Sequence, residues 1–501
     1  MSLKSFFAKR MAQRAKNRIE AWSSQPVATQ RKVFNRLIES AKNTNFGIDH
    51  GFEHIQSVAD FQSKVPVRDY EELRTYVEAS VNGVPNVLWP GKPLYFAKTS
   101  GTTSGAKFIP ITKESMPEHI NAAKNALFMF IADTGNSRFV DGKMIFLQGS
   151  PVLKEVQGIN QGRLSGIVAH YVPKYLQQNR LPSWDTNCIE DWETKVNTIV
   201  DETIDQDMRL ISGIPSWVQM YFEKLVTKGG KPVGTLFPNF ELFVFGGVNF
   251  APYRSKFEQL IGRKVHSVEL FPASEGFFAF QDRQDRQDLL LLLDSGIFYE
   301  FIEASTFFDN NYKRLTLDEV QMNVNYVMII STNAGLWAYN IGDTISFTCL
   351  APFRIKVTGR IKHFISAFGE HVIAQEVERA MQSAAQQTNA VVNEFSVAPQ
   401  VSPAQGLPYH EWFIDFDTLP SDMVKFQKIL DQDMQDQNSY YKDLIVGQVL
   451  QSLKIKAVKK GAFDNYMASQ GKLGGQNKLP RLANNRAIAA FLETHDEVLP
   501  E

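Results

Sequence analysis

The chain has 501 residues, 44% hydrophobic and 21% charged, with a formal net charge of −1. This fits a globular protein of two domains, or of one large and one small domain. It excludes a global field that would draw nucleic acid or an anionic membrane, and no apolar run is long enough to span a bilayer.

Residues 1–19 carry Lys4, Lys9, Arg10, Arg14, Lys16 and Arg18 and no acid. A mitochondrial presequence or a membrane-surface helix shares that composition, whereas Phe6-Phe7 is too short a core for a secretory signal. The reading adopted is a basic surface helix packed through Leu3, Phe7, Met11 and Ile19, in a cytoplasmic protein with no membrane or nucleic-acid partner. Residues 28–43 read as an amphipathic helix with Val33, Leu37, Ile38 and Ala41 on one face, ending at Asn-Thr-Asn-Phe-Gly47. Val65-Pro-Val-Arg-Asp-Tyr70 opens another. Gly83, Pro85, Pro90, Gly91 and Pro93 then break the chain.

Residues 144–147, 242–245, 268–270 and 327–330 are short apolar runs followed by turn signals, as buried strands are. Helical patterns alternate with them, as at 215–225, where Trp217, Val218, Tyr221 and Leu225 share a face. The alternation predicts an α/β core with a largely parallel sheet and a ligand beyond the carboxyl ends of its strands. The tandem Gln281-Asp-Arg-Gln-Asp-Arg-Gln-Asp288 reads as a solvated surface. Asp294-Ser-Gly296 reads as the turn of a β-hairpin joining 289–293 to 297–302.

Near residue 356 the pattern changes to a small α+β unit. Ile373, Val377, Ala380 and Met381 mark a helix, 412–416 a strand, and Ser421 caps a helix carrying Met423, Phe426, Ile429 and Leu430. Leu453, Ile455 and Ala457 alternate as in a half-exposed strand. The division expected is 1–355, a hinge at 356–362, and 363–501. Cys188 and Cys349 form neither a metal spacing nor a disulfide framework, which fits a reducing compartment. His410-Glu411 lacks the second histidine of a zinc-protease signature.

Five stretches carry candidate chemistry. Thr99-Ser-Gly-Thr-Thr-Ser-Gly-Ala-Lys107 offers five hydroxyls, two glycines and a lysine. Such a loop can turn N–H groups and hydroxyls toward phosphate oxygens, although a polar turn between strands has the same composition and the P-loop spacing is absent. Phe245-Gly-Gly-Val-Asn249 could lie flat against an aromatic base, or be an ordinary turn. Phe271-Pro-Ala-Ser-Glu-Gly276 sets an aromatic stacking face and a carboxylate on one turn, and magnesium needs only one or two carboxylates beside phosphate oxygens and water. In Tyr339-Asn-Ile-Gly-Asp343 one carboxylate can accept from two hydroxyls. Gly359-Arg-Ile-Lys-His-Phe-Ile365 is a basic inter-domain turn.

The first of these resembles the phosphate loop of the acyl-adenylate-forming, luciferase-like superfamily. With the following Phe-Ile-Pro-Ile-Thr it is similar to the auxin-responsive Gretchen Hagen family of acyl-acid amido synthetases, in its shorter bacterial-type form. The order and spacing of the motifs match that family over residues 46–481. The resemblance implies a large N-terminal adenylate-forming domain with mixed and parallel sheets and a smaller mobile C-terminal α+β domain. It implies that Ser100, Gly101, Thr102, Thr103 and Lys107 hold the phosphates of ATP, that Gly247, Ala273 and Ser274 line the nucleotide, that Glu275 binds Mg²⁺, and that Asp343 holds the ribose. Arg360 would approach the ribose or phosphates, and Lys362 would be the pivot. Gly475-Gln-Asn-Lys-Leu-Pro-Arg481 resembles the family's Gln-x-Lys-x-Pro-Arg segment, which makes Lys478 a candidate catalytic lysine beside Lys107. Phe271 stands where the family has tyrosine and Asn340 where it has arginine.

The implied reaction activates a carboxylic acid as acyl-AMP and passes the acyl group to an amine, in particular an amino acid. Transfer to coenzyme A, or a non-catalytic AMP-binding relative, are the alternatives. No spacing rule identifies the acid or the amine; Arg163, Trp217 and Phe250 mark where such a pocket could lie.

Overall fold

The computed structural model describes residues 2–500 apart from 100–106, 172–177, 248–249, 251–252, 309–311, 362–363, 366–371, 402, 447–448, 474–477 and 484. The chain divides into two compact units, residues 1–248 with 260–356, and residues 249–259 with 357–501.

The first unit holds two sheets. The smaller has the strand order β2-β1-β5-β4, with β1 at Tyr95–Thr99, β2 at Lys107–Ile111, β4 at Lys154–Val156 and β5 at Ile159–Gly162. The larger has eleven strands in the order β12-β13-β14-β15-β11-β10-β9-β8-β7-β3-β6. These are β3 (Lys143–Phe146), β6 (Arg180–Leu181), β7 (Met208–Ser212), β8 (Leu242–Gly246), β9 (His266–Ala273), β10 (Gly276–Phe280), β11 (Leu289–Leu291), β12 (Ile297–Glu303), β13 (Asn325–Thr332), β14 (Tyr339–Leu350) and β15 (Phe353–Arg360). The expected apolar runs all fall in this sheet, but it is mixed and not largely parallel. Strands β6, β3, β7, β8 and β9 run parallel, while β9 to β10, β10 to β11, β11 to β15 and β12 to β13 to β14 are antiparallel. The runs at 242–245 and 327–330 are buried on both faces, one among parallel and the other among antiparallel neighbours, so apolarity does not reveal direction.

Helices form where the pattern places them. Val33, Leu37, Ile38 and Ala41 are buried on the helix Pro26–Ala41. That helix ends at Ala41, just before the predicted stop region, and a separate short helix, Asn45–Asp49, opens there with the Thr44 hydroxyl capping Gly47 N–H. Asp69 caps the helix Tyr70–Val81 in a reciprocal box with Glu72. In the helix Pro215–Gly229, Trp217, Val218, Tyr221 and Leu225 are all buried.

Three expectations for this unit are corrected. The first helix, Leu3–Ser23, packs through Ser5, Ala12, Ala15 and Ile19, while Leu3, Phe7 and Met11 lie on its outward side at 73%, 55% and 45% exposure. Residues 289–293 and 297–302 are not a hairpin: β11 pairs with β10 and β15, and β12 pairs with β13. Buried Gln30 bridges the two segments, donating to Leu293 O and Ile297 O and accepting from Tyr299 N–H, each at 2.9 Å. The 281–288 repeat is not all solvated, since Asp282 and Asp288 are buried. Asp282 takes a two-pronged ion pair from Arg354 at 2.6 and 2.8 Å, and Asp288 pairs with Arg286 at 2.6 Å.

The second unit contains β16 (Phe364–Ile365), β17 (Val372–Ile373), β18 (Val391–Gln400), β19 (Tyr409–Thr418) and β20 (Lys454–Val458), the last three in one sheet. Helices Ala374–Thr388 and Met423–Gln437 bury Val377, Ala380, Met381, Phe426 and Leu430 in its core. The cap of the latter helix is Asp422, not Ser421, whose hydroxyl donates to Thr388 O instead. His410 and Glu411 are buried in β19, with Glu411 paired to Lys456 and Arg486. Among the described residues no helix is long and apolar enough to cross a membrane.

Candidate active site

The parallel strands β3, β7, β8 and β9 deliver their carboxyl ends to one edge of the large sheet, where open α/β sheets bind ligands. At that edge Gly246 pairs with Leu270, so the Gly247 turn lies beside the end of β9. A Cβ on Gly246 would sit 2.6 Å from Leu270 O, and Gly247 has φ +84°, so glycine is required twice in succession. Beyond Ala273, the turn Ser274-Glu275 leads into β10, with Ser274 buried and Glu275 half-buried. Gly276 is less constrained, since a Cβ there would meet only the end of the Ile297 side chain, its Cδ1 at 2.6 Å. Phe271, expected as a stacking face, is instead buried in β9 edge-on to Phe278 at 5.1 Å. Among the described residues no cluster of three metal-ligating side chains occurs.

Asp343 is half-buried on β14, in an irregular step of the ladder: Val327 pairs with Thr344 and Ile329 with Asn340, so three residues oppose Met328. A bulge of this kind redirects a side chain. Gly342 supplies φ +84°, and the buried Asn340 Oδ1 accepts Gly342 N–H at 2.8 Å. Asn340, a departure from the family pattern, thereby holds the bulge that carries the aspartate.

A short brace links this bulge to the hairpin that carries the hydroxyl-rich loop. Arg68 N–H donates to Ala338 O at 3.1 Å, and Asn340 N–H donates to Arg68 O at 2.8 Å. Two residues on, the Tyr70 hydroxyl accepts Phe108 N–H at 2.9 Å, and Lys107 Nζ lies 5.5 Å from the Tyr70 ring centre. Two residues of chain span at most about 7 Å, and the Tyr70 side chain reaches about as far again, so the brace ties the exit of the loop at Lys107 to the start of the aspartate bulge through two residues and one side chain. The other end of β2 is tied down by Thr112 Oγ1, which donates to Asn333 O at 2.8 Å. Ser100, Gly101, Thr102, Thr103 and Lys362 lie outside the described residues.

Arg360 and Lys478 belong to the second unit, and both are exposed. The segment after Lys478 lies along β18: Pro480 O accepts Ser396 Oγ at 2.8 Å, and Val397 N–H donates to Arg481 O at 2.9 Å. Phe250, offered as a pocket residue, is also in this unit, buried beneath Arg254, whose guanidinium lies 5.0 Å from its ring centre.

One group escaped the sequence reading apart from Arg163. At the end of β3, Gln148 O accepts from buried Lys195 Nζ at 3.0 Å, and Asn187 O accepts from the same nitrogen at 2.7 Å. The Gln148 amide reaches Arg180 at 2.5 Å and Ser165 O at 3.3 Å. Arg163 packs on Gly149, where a Cβ would come within 2.9 Å of its Cδ, and it follows the residue paired with Ala97 on the strand leading to the loop. No described acid forms an ion pair with Lys195, Arg180 or Arg163, and burial pushes the Lys195 amine down to about 8. The three cations lie far apart in sequence, so no spacing signal could join them.

Models of the GH3 family match three stretches: the N-terminal domain at residues 15–195, the central domain at 290–360 and the C-terminal domain at 375–487. An indole-3-acetic acid-amido synthetase of Arabidopsis thaliana, GH3.4, is 20% identical over 95% of this chain and 92% of its own. The solved structure of GH3.15 acyl acid amido synthetase matches with a TM-score of 0.79 at 16% identity, covering 96% of this chain and 95% of that one. A 2-hydroxyisobutyryl-CoA ligase in its postadenylation state matches at 0.57 and 13% identity, over 97% and 91%.

Proposed function

Because the chain belongs to the GH3 family, it is an ATP-dependent ligase that forms amide bonds through an acyl-adenylate, and we propose how its residues divide that chemistry. A carboxylate oxygen attacks the α-phosphorus of ATP; the new P–O bond replaces the bond to the β-phosphate, and pyrophosphate leaves. An amine nitrogen then attacks the acyl carbon, the bond to AMP breaks, and the nitrogen loses a proton. The best-supported acceptor is an amino acid.

In this reading Asp343 holds the ribose hydroxyls, and Ser100, Gly101, Thr102, Thr103 and Lys107 hold the phosphates. Gly247, Ala273 and Ser274 line the base. Glu275 fits a magnesium site of one carboxylate completed by phosphate oxygens and water, and bound Mg²⁺ would neutralise charge on the pyrophosphate. Arg360, Lys362 and Lys478 act from the second unit, the first on the nucleotide, the second as pivot, the third on the reacting carboxylate or α-phosphate. Arg163, Arg180 and Lys195 give the acid or its acceptor a positively charged surround. Two unpaired cysteines support a cytoplasmic setting.

The observation that carries this division is the Arg68–Tyr70 brace, which joins the Asp343 bulge to the exit of the phosphate loop. The test crosses carboxylic acids with amino acids and with coenzyme A and reads pyrophosphate release. Amide product without thioester is expected, and Asp343→Ala should lose acid-dependent pyrophosphate exchange at unchanged melting temperature. Exchange that survives Asp343→Ala would remove the ribose role, and thioester as main product would favour the coenzyme A ligase.

A further inference from the structure

The helix Leu3–Ser23 turns one face to the first unit and the other to solvent. Ser5, Ala12, Ala15 and Ile19 are buried, spaced as one helical stripe. Opposite them stand Leu3, Phe6, Phe7 and Met11, at 73%, 48%, 55% and 45% exposure. Phe6 and Phe7 touch edge-on, with ring centres 5.7 Å apart. Arg10 and Arg14 continue the outward face at four-residue spacing and are exposed, and neither has a described ion pair. Arg18, one further step along, donates to Asn125 at 3.1 Å. No acid occurs before Glu20, which lies 3.8 Å from Lys16.

The sequence reading set a membrane-surface role aside on the premise that Leu3, Phe7 and Met11 pack inward; they do not. We propose that this outward face docks the protein on an anionic lipid surface. The apolar side chains would enter the headgroup–acyl boundary, and the cations beside them would meet lipid phosphates and carboxylates. A second copy of the chain fits less well. A two-fold contact places the same patch on both partners, so it would bring together two segments of the same net positive charge with no acid before Glu20 to offset them. A lipid surface takes both the apolar tip and the charge.

The test is sedimentation of the full chain with vesicles of phosphatidylcholine alone, or of phosphatidylcholine with about 30% phosphatidylserine. Sedimentation with the anionic vesicles is expected, weakening as salt rises. Phe6→Ser/Phe7→Ser should lower partitioning by about tenfold or more, and Arg10→Gln/Arg14→Gln should weaken the preference for anionic lipid by about tenfold. All four side chains point outward, so both variants should keep the wild-type melting temperature and pyrophosphate release. Absence of sedimentation, equal binding to neutral vesicles, or binding indifferent to both variants would overturn the proposal. So would a vesicle-free dimer, seen by light scattering, that the phenylalanine variant dissolves.

Discussion

His119 illustrates what burial does to a single titrating side chain. It is buried in the helix Met116–Thr134, its Nδ1 has no described partner, and burial pushes its pKa down to about 4. Between about 4 and the ordinary 6.5 an unfolded chain binds a proton that the folded chain refuses. Stability is therefore retained above that window and lost as pH falls through it, on the order of 2 kcal/mol by about pH 4.5. His119→Leu should flatten this dependence; calorimetric melting curves that run parallel from pH 7 to about 4.5 for both proteins would refute it. Asn340 and Asp282 show how far a residue's type was legible. Asn340 reads as a lost arginine until its amide is seen holding Gly342, and Asp282 reads as solvated until Arg354, 72 positions on, is placed against it.

At the scale of elements, strands and capped helices were readable because their causes are local: apolar runs, Asp69 with Glu72, Pro215 at a helix start. Pairing was not. In place of a hairpin at 289–302 the two strands pair with distant partners, and Leu293 O, Ile297 O and Tyr299 N–H bond Gln30, more than 260 positions away. The sequence left the Gly246–Gly247 turn open between a flat face for an aromatic base and an ordinary turn; the need for glycine at 246 is tertiary, since Leu270 O leaves no room for a Cβ. Gly246→Ala should separate the ends of β8 and β9, cost about 1–3 kcal/mol and weaken AMP binding beyond what the lost stability explains. Thermal scans and calorimetric AMP titration decide this; wild-type values in both would count against the turn as part of the nucleotide site.

For the whole molecule, we propose that the small unit turns about Lys362 between the adenylating and amide-forming steps, as a few residues absorbing large backbone changes allow. Lys362→Pro should spare pyrophosphate exchange while slowing amide formation about tenfold or more; equal loss of both rates in single-turnover assays would show that residue 362 is no pivot. By itself the sequence determined the family, the α/β class and the order of the motifs, because glycine, hydroxyl and carboxylate spacings persist along the chain whatever packs around them. Tertiary structure alone decided which strands are neighbours, that Arg68 and Tyr70 bind the aspartate bulge to the loop's hairpin, and which face of the first helix meets solvent. Those outcomes depend on contacts between residues tens to hundreds of positions apart, and local pattern carries no record of them.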